Sequence, residues 1–402
     1  MRRNRMIYYL LCAAALAFAS FYGGPVSYTI LFGLILVTPV SYAYLLAVYS
    51  FFRIYQSATG KHIVAYEPVP YYFVLQNEYL LNFCHIRPKM YSTFSYIENM
   101  DEDREYELLP HENARYDTKL ICRYRGEYKV GIKSITITDY LKLFSITYHV
   151  HEPISVVVAP RITELRYLRT GYDPIRNSYK ESSRMKQFPD TVVRDYIPGD
   201  PPKSIHHKLS ARTGSLKSRL YYGEERQGIS IWLDTHRISD DEYVYIPVEN
   251  KCLEIVLAIA NYFSALSVTS TLKYYRPAGE SLKGSGAQNG NSGLYEVKCG
   301  TRRDMEGFHA QVAAVPFRTG DDRGRAIKLM ANDRDFSNSL VAFLVITETG
   351  RELNETLNEL SMAGASCVIY YVSYEPDVSG IISLQDQIIV PVHPEDDLTA
   401  VM

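Results

Sequence analysis

Three histidines and four aspartates lie near enough in this sequence to suggest shared chemistry: His206, His207 and His236, with Asp200, Asp234, Asp240 and Asp241. Imidazole and carboxylate are ligands of hydrolytic metal centres and partners in general acid–base pairs. Their spacing matches no recognised ligand motif, and the adjacent histidines diverge on a helix. The chain has no GxSxG, HExxH or P-loop pattern. Ser204 and Ser210 lack the context of a nucleophile. The same stretch is strongly basic. Lys203, Lys208, Arg212, Lys217 and Arg219 join the two histidines, and Glu224 and Glu225 follow. Such a segment is either braced internally by ion pairs, including one to Asp195, or offered to an acidic partner. No aromatic stacking motif accompanies it, so nucleic acid is not expected.

These residues need a frame. The segment opens with Arg194-Asp195-Tyr196 and turns at Pro198-Gly199. Asp200 suits a helix N-cap, and Pro201 suits the first helical position, where no N–H is needed. The spacing predicts a helix over 203–211, with Ile205 and Leu209 on its buried face. Gly214 closes it. The run GISIWLDTHR then reads as a buried strand ending in Asp234.

The segment resembles the bacterial family catalogued as domain of unknown function 58. That family's signature is approximately R-x-Y-x-x-G-D-x-x-R-x-I-H-W-K-x-S-A-R, followed by a basic stretch, a glutamate and a strand ending in aspartate. Arg194, Tyr196, Gly199, Asp200, Ile205, His206, Lys208, Ser210, Ala211, Arg212 and Asp234 match, and Glu224 stands after the basic stretch. His207 replaces the usual tryptophan, and Lys203 replaces arginine. A weaker likeness runs from Tyr124 to Pro160. There the family's DPFGLF turn becomes Asp139 to Phe144, and its VYPR strand becomes Val158 to Arg161. The resemblance implies a von Willebrand factor A-type domain and partnership with a MoxR-type AAA+ ATPase in the assembly or maturation of envelope-associated proteins. A-type domains often hold Mg²⁺ through D-x-S-x-S at the carboxyl end of the first strand, where oxygen ligands converge. Here Asp234 is kept, but His236 and Ile238 replace the serines, so a degenerate, metal-free crevice is expected. The loop Thr347-Glu348-Thr349-Gly350 is the other candidate oxygen source.

The 402 residues suggest two or three domains, and a net charge of −2 selects no polyanionic partner. The six cysteines form no CxxC pair, so free thiols are expected. Met6 to Phe52 carries no charge and is broken at Gly23-Gly24-Pro25. Two transmembrane helices are expected, about 6–22 and 28–52, within residues 1–58. Arg2, Arg3 and Arg5 precede the first and Arg53 and Lys61 follow the second, which places both ends in the cytoplasm. A cleaved signal peptide ending near Ala17-Phe18-Ala19 is the rival reading.

Short alternating strands across 59–160 predict a β-sandwich-like domain. The acidic run Glu98 to Glu107 reads as a solvated loop. Residues 161–192 read as a polar linker. In 193–402, strands at Ile229–Leu233, Thr269–Tyr275, Tyr295–Lys298, Val341–Thr347, Cys367–Ser373 and Gln387–Val392 alternate with helices at Val248–Leu266, Met305–Ala314 and Glu352–Ala363. That order predicts a doubly wound, mostly parallel sheet. The whole is a multidomain α/β plus all-β chain. The expected function is a non-enzymatic, membrane-anchored interaction protein. The alternatives are a divalent-metal-dependent hydrolase centred on Asp234 and a structural scaffold without an ATPase partner.

Overall fold

A computed structural model of the protein describes residues 2–60, 63–101, 104–150, 153–168, 189–197, 205–221, 228–276, 288–289, 293–320, 322–333, 339, 341–362, 366–376 and 387–402. The chain divides into two compact units, Met1–Ala159 and Pro160–Met402. All six cysteines are free thiols.

The first unit begins with two apolar helices, α1 (Arg2–Tyr22) and α2 (Pro25–Phe51), each long and apolar enough to cross a membrane. α2 starts at Pro25 rather than near Tyr28, because proline fits the first helical position. The helices form a hairpin. The Tyr8 hydroxyl donates to Leu34 O at 2.8 Å and lies 2.6 Å from Thr38 Oγ1. Asn4 Nδ2 donates to Leu141 O at 3.0 Å, so the start of α1 is tied to the following β-rich body. Tyr44, Leu45 and Val48, near the end of α2, are buried in that body's core. At about 1.5 Å per residue, the part of α2 before Tyr44 is about 28 Å long, close to a hydrocarbon core of about 30 Å.

One four-stranded sheet has the order β1 (Phe52–Ala58), β3 (Pro68–Asn77), β7 (Asn113–Cys122), β5 (Ser95–Ile97). A second has the order β10 (Ser145–His149), β9 (Ile132–Thr138), β4 (Phe83–Met90), β6 (Tyr106–Leu108). All their pairings are antiparallel. Tyr71, Phe73 and Leu75 alternate inward from β3 and share one core with Ile86 of β4 and Ile135 and Ile137 of β9. A smaller sheet joins β2 (Ile63–Val64), β11 (Ile154–Ala159) and β8 (Gly126–Val130).

The second unit opens with β12 (Pro189–Asp195), paired antiparallel with β13 (Lys217–Tyr221); the helix α3 (His207–Thr213) lies between them. β12 therefore begins inside the stretch expected to be linker. The main sheet has seven strands in the order β16 (Gln288–Asn289), β17 (Leu294–Cys299), β15 (Ser270–Tyr275), β14 (Ile229–Leu233), β18 (Ala342–Ile346), β19 (Cys367–Val372), β20 (Gln387–Val392). The pairs from β15 through β14, β18 and β19 to β20 are parallel; β17 is antiparallel. The central strands are buried on both faces. Ile231, Leu233, Phe343 and Val345 meet α4 (Glu242–Ala265) and α5 (Met305–Ala313). Trp232, Leu344 and Ile369 meet α6 (Arg323–Ala331) and α7 (Arg351–Met362). Helices on both faces make the sheet doubly wound.

α4 starts at Glu242, ahead of the Val248 expected from apolar spacing, and runs through Pro247. Proline has no N–H for the carbonyl four residues back. That carbonyl belongs to Tyr243 and accepts from the Tyr374 hydroxyl at 3.2 Å instead. At the start of β14, Gly228 has φ +84, and a Cβ there would stand 2.7 Å from Thr269 O. Only glycine fits that close approach.

In the first unit, Arg87 hydrogen-bonds the Glu105 carboxylate, as do His85 and Lys142. Arg87, then the other two, holds the Glu105 carboxyl down at about 2, against an ordinary 4.5. A depressed carboxyl stabilises the fold above its unfolded pKa and loses that effect as pH falls through its folded one. Melting of the full-length protein in detergent should therefore fall from pH 5 to pH 2.5 more steeply than that of Glu105→Gln. After solvent screening the difference should be on the order of 1 kcal/mol. Parallel pH profiles would show that the cluster contributes nothing.

Candidate functional site

Two places in the second unit gather the residues singled out by the sequence. The first is the β12–α3–β13 element. α3 begins at His207, later than expected, because Ile205 is paired in a β-bridge with Ser218 and cannot join a helix. Ile205 and Leu209 therefore do not share a helical face. The cap is His206, whose Nδ1 accepts from Leu209 N at 3.3 Å. Its own N–H donates to Lys217 O at 2.7 Å. Gly214 ends the helix at φ +68, a left-handed C-cap that favours glycine. Ser210 Oγ accepts from Lys217 N at 2.8 Å, and Tyr196 N donates to Leu216 O at 2.9 Å. Lys217 Nζ pairs with Asp195 Oδ1 at 2.5 Å.

His206, Ser210 and the Tyr196 backbone thus hold the element together. Arg194, half-buried, sits opposite Ser218 in the β12–β13 register. Lys208 and Arg212 are exposed, four residues apart and so on one side of α3. Gly199, Asp200 and Glu224, with Lys203 and Glu225, lie outside the described residues, as does the expected Asp200 cap.

The second place is the crevice at the carboxyl end of the main sheet. The chain leaves β14 toward β15 on one side and later returns to β18 on the other. The crevice beyond these strands is therefore a topological switch point. Asp234 follows β14 and is buried. Its Oδ1 accepts from His236 N at 3.0 Å, and its Oδ2 accepts from Arg323 Nε at 2.9 Å. Arg323 Nη1 donates to Glu348 Oε2 at 3.3 Å, and Nη2 donates to Glu348 O. One guanidinium, at the first residue of α6, ties together the loops after β14 and β18. Sequence reading missed it. RGRAIKLMA is short, carries Gly324 in its first turn and follows Gly320, so it gave little helical signal.

The two other positions of the degenerate metal pattern diverge. His236 points its Nε2 toward Glu348 Oε2 at 4.0 Å, while Ile238 is exposed. Arg237 reaches Glu249 at 2.6 Å beneath the Tyr245 ring. Asp241 caps α4 by accepting from Tyr243 N at 3.0 Å, and Asp240 is exposed. Among the described residues, no three His, Cys, Asp or Glu side chains converge as metal ligands would. The described members of the acid–base set are thus divided: His206 in a brace, Asp241 in a cap, and Asp234 and His236 in a crevice.

The fold and these sites define a two-unit α/β plus all-β protein with two apolar N-terminal helices. No protein-family model matches the chain, and no curated protein does. Among solved structures, it is similar to a GH20 exo-β-N-acetylglucosaminidase from Vibrio harveyi at 8% identity and a TM-score of 0.15. That match covers 80% of this chain and spans 57% of the glucosaminidase. A calcium-binding mutant of Bacteroides uniformis β-glucuronidase 2 is also 8% identical, with a TM-score of 0.16, over 80% of this chain and 36% of that one.

The Arg323 contacts give a direct test. Removing one partner from a buried ion pair costs about 3–5 kcal/mol, because it leaves the other charge uncompensated. Arg323→Ala should lower the stability of the second unit by about 3 kcal/mol. Arg323→Lys should recover less than half, since an ammonium lacks the fork that reaches Asp234 and Glu348 together. Chemical denaturation of the full-length variants measures both. Wild-type stability in Arg323→Ala would mean that Asp234 needs no internal cation.

Proposed function

We propose that the chain is a non-enzymatic, membrane-anchored interaction protein related to the family catalogued as domain of unknown function 58. The observation that carries this reading is the braced β12–α3–β13 element. Its His206 and Ser210 are engaged in holding the frame, while Lys208 and Arg212 stand exposed on a pinned helix. Cations on a rigid support meet an acidic partner without first losing much side-chain and loop freedom. The proposed partner, on the strength of the family resemblance, is a MoxR-type AAA+ ATPase, and the process is assembly or maturation of envelope-associated proteins.

Further features support parts of this reading. The sheet order, with β17 antiparallel beside β15, favours a von Willebrand A-like domain. Each Asp234 oxygen already accepts a hydrogen bond, from His236 N–H and from the Arg323 guanidinium, and this internal cation favours a metal-independent crevice over a hydrolase centred on that carboxylate. Arginines at positions 2, 3, 5 and 53 flank one end of the helical hairpin, and the turn at Gly23-Gly24 carries none. That asymmetry favours a two-span anchor with the sheet-bearing units in the cytoplasm.

The test is crosslinking of the full-length protein in its native membranes, followed by affinity purification beside Lys208→Glu/Arg212→Glu. An AAA+ ATPase should be recovered with the native chain and reduced by about tenfold or more with the charge-reversed one, in keeping with a lost docking pair. Unchanged melting would show that the variant is folded. Recovery of no ATPase, or equal recovery with both chains, would sink the proposal.

A further inference from the structure

Four large apolar side chains protrude from two loops of the first unit. Leu80 and Leu81, between β3 and β4, are 73% and 45% exposed; Tyr140 and Leu141, between β9 and β10, are 53% and 51% exposed. Single exposed leucines are ordinary, but these four are brought together. The Tyr140 hydroxyl donates to Asn82 O at 3.0 Å, which joins the two loops. Tyr44 of α2 donates to the same carbonyl at 2.9 Å, and its ring centre lies 4.9 Å from that of Tyr140. The patch is therefore continuous with the helical hairpin. We infer that these loops make a second membrane contact: Leu80, Leu81, Tyr140 and Leu141 dip into the boundary between lipid headgroups and acyl chains beside the two helices.

The helices set the depth of the loops. Asn4 Nδ2 donates to Leu141 O at 3.0 Å, and Arg5 Nε donates to Leu143 O at 2.5 Å. Leu141 is thus level with the last polar residues before Met6, where the charge-free stretch of α1 begins. Along α2, the run from Pro25 to Ala43 is about 28 Å long, close to a hydrocarbon core of about 30 Å, so Tyr44 comes at its far edge. The two helices agree. Tyr8 lies 2.6 Å from Thr38 across the antiparallel hairpin, and one more turn brings Asn4 level with Tyr42. Both place the membrane boundary at the 139–143 loop.

The polar groups of the loops suit this depth. Backbone that enters a low-dielectric boundary must have its carbonyls satisfied from within. Asn82 O accepts from two tyrosines, Leu81 O accepts from Asn77 Nδ2 at 2.8 Å, and Leu141 O and Leu143 O accept from α1. The charges of the second loop are turned inward: Lys142 Nζ donates to Glu105 at 3.3 Å, and Asp139 Oδ1 accepts from Phe144 N at 2.7 Å. Its apolar tips are left outward. Tyrosine is favoured at headgroup depth, with its ring in the boundary and its hydroxyl bonded. Arg2 and Arg3, exposed at the same end of α1, suit anionic headgroups.

This inference rests on α1 and α2 spanning the bilayer, as proposed above, and extends that reading to the β-rich body. The full-length protein would be placed in phospholipid nanodiscs as Leu80→Trp, Leu141→Trp or Tyr96→Trp, with Trp232, the sole native tryptophan, as baseline. Tyr96 pairs with Ile121, which faces Pro68. Pro68 is at the opposite end of β3 from Asn77, about 30 Å away at about 3.3 Å per residue. Brominated acyl chains should quench about half of the emission added by Leu80→Trp and by Leu141→Trp, as suits a ring about 5–10 Å into the boundary. Acrylamide in the water should quench Tyr96→Trp and spare those two. Unchanged melting shows that a variant is folded, and either loop variant alone decides. Acrylamide quenching of the loop variants overturns the inference. Protection from both quenchers overturns it in favour of a covering protein surface. Equal bromolipid quenching of all three overturns its assignment to these loops. Alkaline washing of vesicles carrying the native chain tests the anchor separately. A chain that stays while its loop variants are open to acrylamide overturns the seating alone; a chain that washes off overturns anchor and seating together.

Discussion

Asp234 ends a strand buried on both faces, so its carboxylate emerges where little water can solvate it. A carboxylate in that position must be neutralised or hydrogen-bonded, because an isolated buried charge costs several kcal/mol. This chain supplies one backbone N–H and one guanidinium. The guanidinium is carried by α6, which four and seven residues further on the same side packs Ile327 and Met330 against the sheet. The electrostatic need of one residue is thereby coupled to the placement of a whole helix. The same contact closes the loop after β18 onto the crevice through Glu348.

A second buried charge cluster organises the outer side of α4. Glu254 is fully buried; its Oε2 accepts from Lys251 Nζ at 2.9 Å and its Oε1 accepts from Asn250 Nδ2 at 2.9 Å. Arg161 Nε lies 3.7 Å from Oε1. Lys251 Nζ also donates to Asp396 O at 2.9 Å. Residues near both ends of the second unit therefore meet on one helix. Such a cluster is poor evidence of net stability, since apolar packing often does as well. Its effect is on specificity: a misplaced terminus would leave Glu254 or Lys251 buried without its partner.

How legible each element was depends on where its signal resides. β14, β18 and β19 are buried on both faces, so near-continuous apolar runs announced them: five residues in β18, six in β19, and four of five in β14, broken at Ser230. α4 was visible in its apolar half, but its start was not. Asp241 caps it through a local contact to Tyr243 N, while Pro247 inside the helix is tolerated because a tertiary partner, Tyr374, takes up the freed carbonyl. α6 escaped because its stabilisation is a charge contact and three buried side chains, with no long apolar stripe. The motif segment showed its composition plainly, but its fold less well. His206 reads as a basic residue in the sequence and proves to be a helix cap, while Ile205 belongs to a bridge. Asp234 was found as a candidate ligand; its cation lies 89 residues further along the chain, where local pattern has no reach.

The two sites follow one physical logic. In each, the polar groups that sequence comparison would single out are used up in making the frame: His206 and Ser210 in the hairpin element, Asp234 in the crevice. On α3 two cations, Lys208 and Arg212, remain exposed on the framed surface. A catalytic centre requires the reverse, a polar group held ready and incompletely satisfied. A binding surface requires that its frame be rigid before the partner arrives, so that contact energy is not lost in ordering the site. A frame whose own polar groups are engaged, with cations presented on α3, is what the proposed interaction reading requires.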